Sequence, residues 1–127
     1  MESIMSGYFP FGCDSVSSLK IINFLEYFSS DMLKKGIEEA YYVLKDGGKL
    51  YIEVPESEGK NAVGNPNYSS FYNELSFSFF TDEDLRFKFN TAANFELESL
   101  KINKDKNNFV FINAILIAKK PKKDEMM

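Results

Sequence analysis

The sequence contains no histidine and no tryptophan, and Cys13 is its only cysteine. Without histidine, the commonest general base and the commonest transition-metal ligand are both missing. A Ser-His-Asp or Cys-His site is therefore excluded within the chain. One cysteine cannot form an internal disulfide and gives little basis for a cysteine-based metal site. No apolar run is long enough to span a bilayer, and the first residues lack the basic-then-apolar pattern of a signal peptide. These absences together predict a soluble cytoplasmic protein. Positive charge is sparse as well. With a net charge of −4 and a pI of about 4.9, no general affinity for nucleic acid or an anionic membrane is expected. The only basic cluster is Lys119, Lys120, Lys122 and Lys123.

What is present suits a folded domain. The 127 residues are 44% hydrophobic and 16% aromatic, with thirteen Phe and seven Tyr, enough for one small domain with a core rich in flat rings. Ile21 to Pro55 organises the chain: a buried strand, a loop, an amphipathic helix, a glycine stop and a second buried strand. That order is a βαβ unit and implies a parallel sheet with a helix on its face. Ligands in such sheets sit at the carboxyl ends of the strands, which directs attention to Asn23 to Phe28 and Pro55 to Gly64.

The elements follow from local pattern. Val16 to Asn23 reads as the first strand. Ser30 to Lys45 reads as a helix, capped by Ser29 or Ser30, with Asp31 in its first turn. Leu33, Ile37, Ala40, Tyr41 and Leu44 share its inner face, and Asp46-Gly47-Gly48 is expected to end it. Lys49 to Val54 alternates, and Pro55 is expected to stop the ladder. Glu56 to Ser70 is a long polar loop of the kind that is more often functional than not. Thr81 is expected to cap a helix running to about Ala93, with Asn94 as its stop. Phe95 to Ile102, bulged near Ser99, and Phe109 to Ala118 should then form an antiparallel hairpin. The domain is assigned to residues 1–119, with Lys119 onward expected to start a polar, mobile tail over 120–127.

With these elements placed, three segments resemble a known family. Pro10-Phe11, Asp14-Ser15-Val16 and Leu25-Glu26 followed by Phe28 match the segment leading through the fourth strand of class I S-adenosylmethionine-dependent methyltransferases of the type 11 branch. Glu39, Val43-Leu44-Lys45, Gly47-Gly48, Leu50, Ile52 and Val54-Pro55 resemble its helix-turn-strand segment, which ends in GGxLxIxVP. Asn65-Pro66 and Phe80-Thr81 are similar to a later stretch. The family's two histidines around Leu25-Glu26 are replaced by Asn23 and Tyr27. Asp46 stands for its proline, and Tyr42 for its arginine. The sequence holds no strand–GxGxG–helix, so the resemblance covers only the second half of the family's domain.

The resemblance implies a partial Rossmann-like methyltransferase fold of the α/β class: two parallel strands with a crossover helix plus a C-terminal antiparallel hairpin. It implies S-adenosylmethionine as cofactor, transfer of a methyl group to a small-molecule or sugar acceptor, and cofactor contacts from Phe11, Asn23, Phe24 and Leu25. Glu26, Tyr27 and Pro55 would face the substrate. Three of them have a plainer alternative: core packing for Phe11, backbone satisfaction for Asn23, helix capping or a lysine partner for Glu26. No catalytic residue is assigned. Glu53, Glu56 and Glu58 read as a solvated face, and no metal is expected. A strand whose usual neighbour is absent would leave an apolar edge, so self-association or a companion protein covering the first strand is expected. The alternative function is a non-catalytic, truncated domain acting as an accessory or oligomerisation module.

Overall fold

The computed structural model describes residues 12–22, 25, 29–56, 72 and 75–121. In chain order the elements are β1 (Val16–Ile22), α1 (Ser30–Val43), β2 (Leu44–Pro55), a 3-10 helix (Ser76–Phe80), α2 (Glu83–Phe89), β3 (Phe95–Lys104) and β4 (Val110–Ala118). The strands form one sheet in the order β1-β2-β4-β3. β1 runs parallel to β2, while β4 is antiparallel to both β2 and β3. This is the expected α/β arrangement: a parallel pair joined through a helix, followed by a hairpin.

Strand periodicity sets the core. Leu19 and Ile21 of β1, Leu50, Ile52 and Val54 of β2, and Ile112, Ala114, Leu116 and Ala118 of β4 all lie buried on one face. Ile37, Ala40 and Val43 of α1 and the rings of Phe77, Phe80 and Phe95 complete that core. Each large side chain fully withdrawn from water contributes about 1.5–3 kcal/mol. The other face carries Tyr51, Phe111, Ile115 and Ile117 only half buried, among Lys49, Glu53 and Asn113.

α1 begins as its sequence requires. Ser29 takes the cap, its hydroxyl accepting from the Met32 amide, and Asp31 sits in the first turn. Its end differs from the sequence expectation. The helix stops at Val43, and Leu44 is already extended (ψ 140°) and pairs with Val16. Leu44 leaves the helix because that conformation buries it completely. Asp46-Gly47-Gly48 therefore does not cap α1. It forms an irregularity within β2, between the Val16–Leu44 and Ser18–Lys49 pairs. Gly47 has a positive φ of 80°, and a Cβ on Gly48 would stand 2.9 Å from the Lys45 carbonyl oxygen.

Pro55 does not stop the ladder either. It stands opposite Phe111, and the Glu56 amide still donates to the Val110 carbonyl at 3.0 Å. Strand amides alternate in direction, so those of Val54 and Glu56 face β4 while the donor that proline lacks would face β1. Among the described residues the β1 pairing reaches Ile22–Glu53.

The C-terminal half follows the sequence more closely. The β3–β4 register shifts between Leu97 and Ser99, leaving Glu98 as the extra residue. Its carboxylate meets Lys49 at 2.9 Å, a contact that holds the ammonium proton more tightly than usual. The hairpin turn is fastened by the Asp105 carboxylate, which accepts from the amides of Asn107 and Phe109. α2 is shorter than expected. Asp82, not Thr81, is its cap, accepting from the Leu85 amide at 3.0 Å. Asn90 ends it in the left-handed conformation (φ 58°), well before Ala93. Thr91 then donates to the Glu38 carboxylate at 2.7 Å, tying the exit of α2 to α1.

Candidate functional site

Parallel pairing places the carboxyl ends of β1 and β2 side by side, at Ile22 and Glu53. Of the site residues expected from sequence, Leu25 and Pro55 are described there; Phe11, Asn23, Phe24, Glu26 and Tyr27 lie outside the described residues. Both described residues are buried. Leu25 belongs to the hydrophobic core, and Pro55 sits in register with Phe111.

A residue that sequence reasoning missed connects them. Tyr72 is buried, and its hydroxyl donates to the Leu25 carbonyl at 2.9 Å. Its backbone bridges in parallel to Glu56, the residue after Pro55. Its ring stacks on Phe77, with centroids 5.8 Å apart and planes 6° from parallel. Leu25, Tyr72 and Phe77 thus share an apolar floor at the strand ends, while Pro55, in register with Phe111, belongs to the opposite face of the sheet. Such a floor can exclude water and hold backbone groups in place. No motif could have flagged Tyr72, because its partner lies 47 residues away.

The opposite end of the sheet is polar. Lys120 donates through its ammonium to Asp14 at 2.7 Å and through its amide to the Asp46 carboxylate at 2.9 Å. The ammonium also lies 4.4 Å from the centre of the Tyr41 ring. The Tyr41 hydroxyl donates to the Lys119 carbonyl at 2.6 Å. Lys119 and Lys120, which read in sequence as the start of a mobile tail, are therefore anchored. The Lys120 ammonium, and after it the Cys13 thiol, donates to the Asp14 carboxylate and holds it below its ordinary pKa. The same thiol contact raises the pKa of Cys13, opposite to what a nucleophilic cysteine requires. Burial pushes the Tyr41 phenol upward. These residues brace the fold, away from the strand ends where a ligand would sit.

Among the described residues no helix is long and apolar enough to cross a membrane, and no group of three or more His, Cys, Asp or Glu could hold a metal ion.

No family model and no curated protein matches the chain. Solved structures do. The chain is similar to a SAM-dependent methyltransferase from Methanosarcina mazei, with a TM-score of 0.66 at 14% identity over 91% of this chain and 65% of that one. It is similar to a Haloferax volcanii methyltransferase in complex with the Trm112 methyltransferase activator, with a TM-score of 0.65 at 14% identity over 90% of this chain and 58% of that one. A third is 1,6-didemethyltoxoflavin-N1-methyltransferase from Burkholderia thailandensis, bound to 1,6-didemethyltoxoflavin and S-adenosylhomocysteine; its TM-score is 0.56 at 17% identity, over 86% and 46% of the two chains. The fold is a partial, class I methyltransferase-like one. The chain spans no more than 65% of the length of these three proteins.

A methyltransferase cofactor needs close backbone approach to its methionine and paired ribose hydroxyls. The described glycines lie elsewhere: Gly12 precedes β1, Gly36 is within α1, and Gly47 and Gly48 are at the amino end of β2. The described carboxyl-end residues supply a floor without that cradle. By themselves they do not fit the cofactor.

Proposed function

We propose that this chain forms the acceptor-side part of an S-adenosylmethionine-dependent methyltransferase, acting on a small-molecule or sugar acceptor when a glycine-loop segment completes the cofactor site. The observation that carries the reading is the methyltransferase-like sheet, in which β1 and β2 end side by side in parallel. In this reading Phe11, Asn23, Phe24 and Leu25 lie on the cofactor side, and Glu26, Tyr27 and Pro55 on the acceptor side. The cofactor would bring an already activated methyl group, so the chain's task is to orient the acceptor and exclude water. A site of that kind does not depend on histidine.

The reading also includes a partner. Among the described residues β1 is paired on one side only, by β2, and Ile22 at its end is 53% exposed. An open strand edge favours covering by a companion chain or a second copy. One of the similar structures is a methyltransferase held by an activator protein. We place this assembly in the cytoplasm.

Calorimetric titration with S-adenosylhomocysteine tests the proposal, using the purified chain alone and the chain with whatever protein co-purifies. Binding only in the presence of the companion is the expected result. Micromolar binding by the chain alone would mean that its own residues complete the cofactor site. No binding in either case would overturn the enzymatic reading and leave a non-catalytic accessory module.

A further inference from the structure

We infer that Tyr72 is the positioning residue of the strand-end site, its hydroxyl fixing the backbone at Leu25 to the end of β2. A phenylalanine would keep the stacking on Phe77 and the backbone bridge to Glu56, so neither contact calls for the oxygen. A buried hydroxyl is costly to desolvate unless it is bonded, and this one is bonded to a carbonyl that would otherwise be buried without that donor. The bond has a single geometric effect. It ties the segment after β1 to the segment after β2, beyond Ile22–Glu53, the last β1–β2 pair among the described residues. The same ring reaches Phe77 at the head of the 3-10 helix, so three segments meet on one side chain. Packing alone allows such segments to slide. A directed hydrogen bond sets their separation. The functional half of this inference, that the setting serves cofactor or acceptor placement, rests on the methyltransferase reading; the coupling itself does not.

The test is Tyr72→Phe, with Tyr72→Leu as the variant that also removes the ring. Carbonyl-detected NMR should show the Leu25 carbonyl carbon shifted in Tyr72→Phe. The Glu56 amide should exchange at least tenfold faster relative to the Leu116 amide in the sheet core. A uniform rise at both amides, or an unmoved Leu25 carbonyl, would overturn the coupling and reduce Tyr72 to a packing residue. If Tyr72→Leu fails to fold, Tyr72→Phe alone decides. S-adenosylhomocysteine titration of the same variant, with the companion present, should then show several-fold weaker binding. Equal affinity would overturn the placement role while leaving the coupling intact. If the wild-type chain binds nothing under either condition, the methyltransferase reading fails, and the NMR and exchange measurements still decide Tyr72.

Discussion

The two ends of the sheet are closed by different chemistry. At the carboxyl end, aromatic rings and one buried hydroxyl join Leu25, Tyr72, Glu56 and Phe77. At the amino end, Lys120 gathers Asp14, Asp46 and the Tyr41 ring in a polar clasp. The first closure is dry and depends on shape. The second is wet at its rim, since the Asp14 side chain is 54% exposed against 15% for Lys120. A dry closure can hold a backbone in a fixed place for a ligand. A clasp of charges secures chain ends, at a strength that pH and salt can change.

Substitutions can break this contrast. The largest effect is expected from Phe77→Ala, which empties a fully buried ring site and removes the Tyr72 stack; urea unfolding should show a loss of about 3–5 kcal/mol. Next is Gly48→Ala. Its Cβ would press on the Lys45 carbonyl and the Leu44 side chain, and a loss of about 1–3 kcal/mol is expected by the same measurement. Tyr72→Phe should lose about 1–2 kcal/mol, because the Leu25 carbonyl is left buried without this donor.

The smallest effect is expected at the clasp. Lys120→Met should lose only about 0.5–1 kcal/mol near neutral pH, discounted for the exposure of Asp14. The folded state holds the Asp14 pKa below its unfolded value. Its contribution is therefore present above the unfolded pKa and disappears as pH falls through the lower folded value. The difference between wild type and Lys120→Met should thus shrink in acid and in high salt. If Lys120→Met instead proved as damaging as Phe77→Ala, the distinction between a dry and a wet closure would fall.

Much of the fold was legible because its signals are local. The two-residue alternation of Leu50, Ile52 and Val54 gave the inner face of β2. The phase break between Leu97 and Leu100 gave the bulge that the register places at Glu98. Where the sequence misled, the deciding interaction was distant. Leu44 has the helical spacing of Ile37 and Tyr41 but leaves α1 to be buried against β1. Pro55 looks like a terminator, yet its effect depends on which neighbour each strand amide faces. Lys120 lies in a lysine-rich run that resembles a free tail, and its partners are 106 and 74 residues away. The strand ends were legible as features of the sheet. Tyr72 was not, since nothing near it in sequence requires a hydroxyl at that position.

The Glu56–Tyr72 bridge has a consequence for how the protein can vary. The bridge is made by backbone atoms, so it asks of position 56 only an extended backbone and the amide that donates to Val110, which proline alone would lack. The bond to the Leu25 carbonyl asks of position 72 a hydroxyl at the far end of a ring, which only tyrosine supplies. One of these two posts can therefore drift in sequence while the other cannot, although both stand at the same end of the sheet.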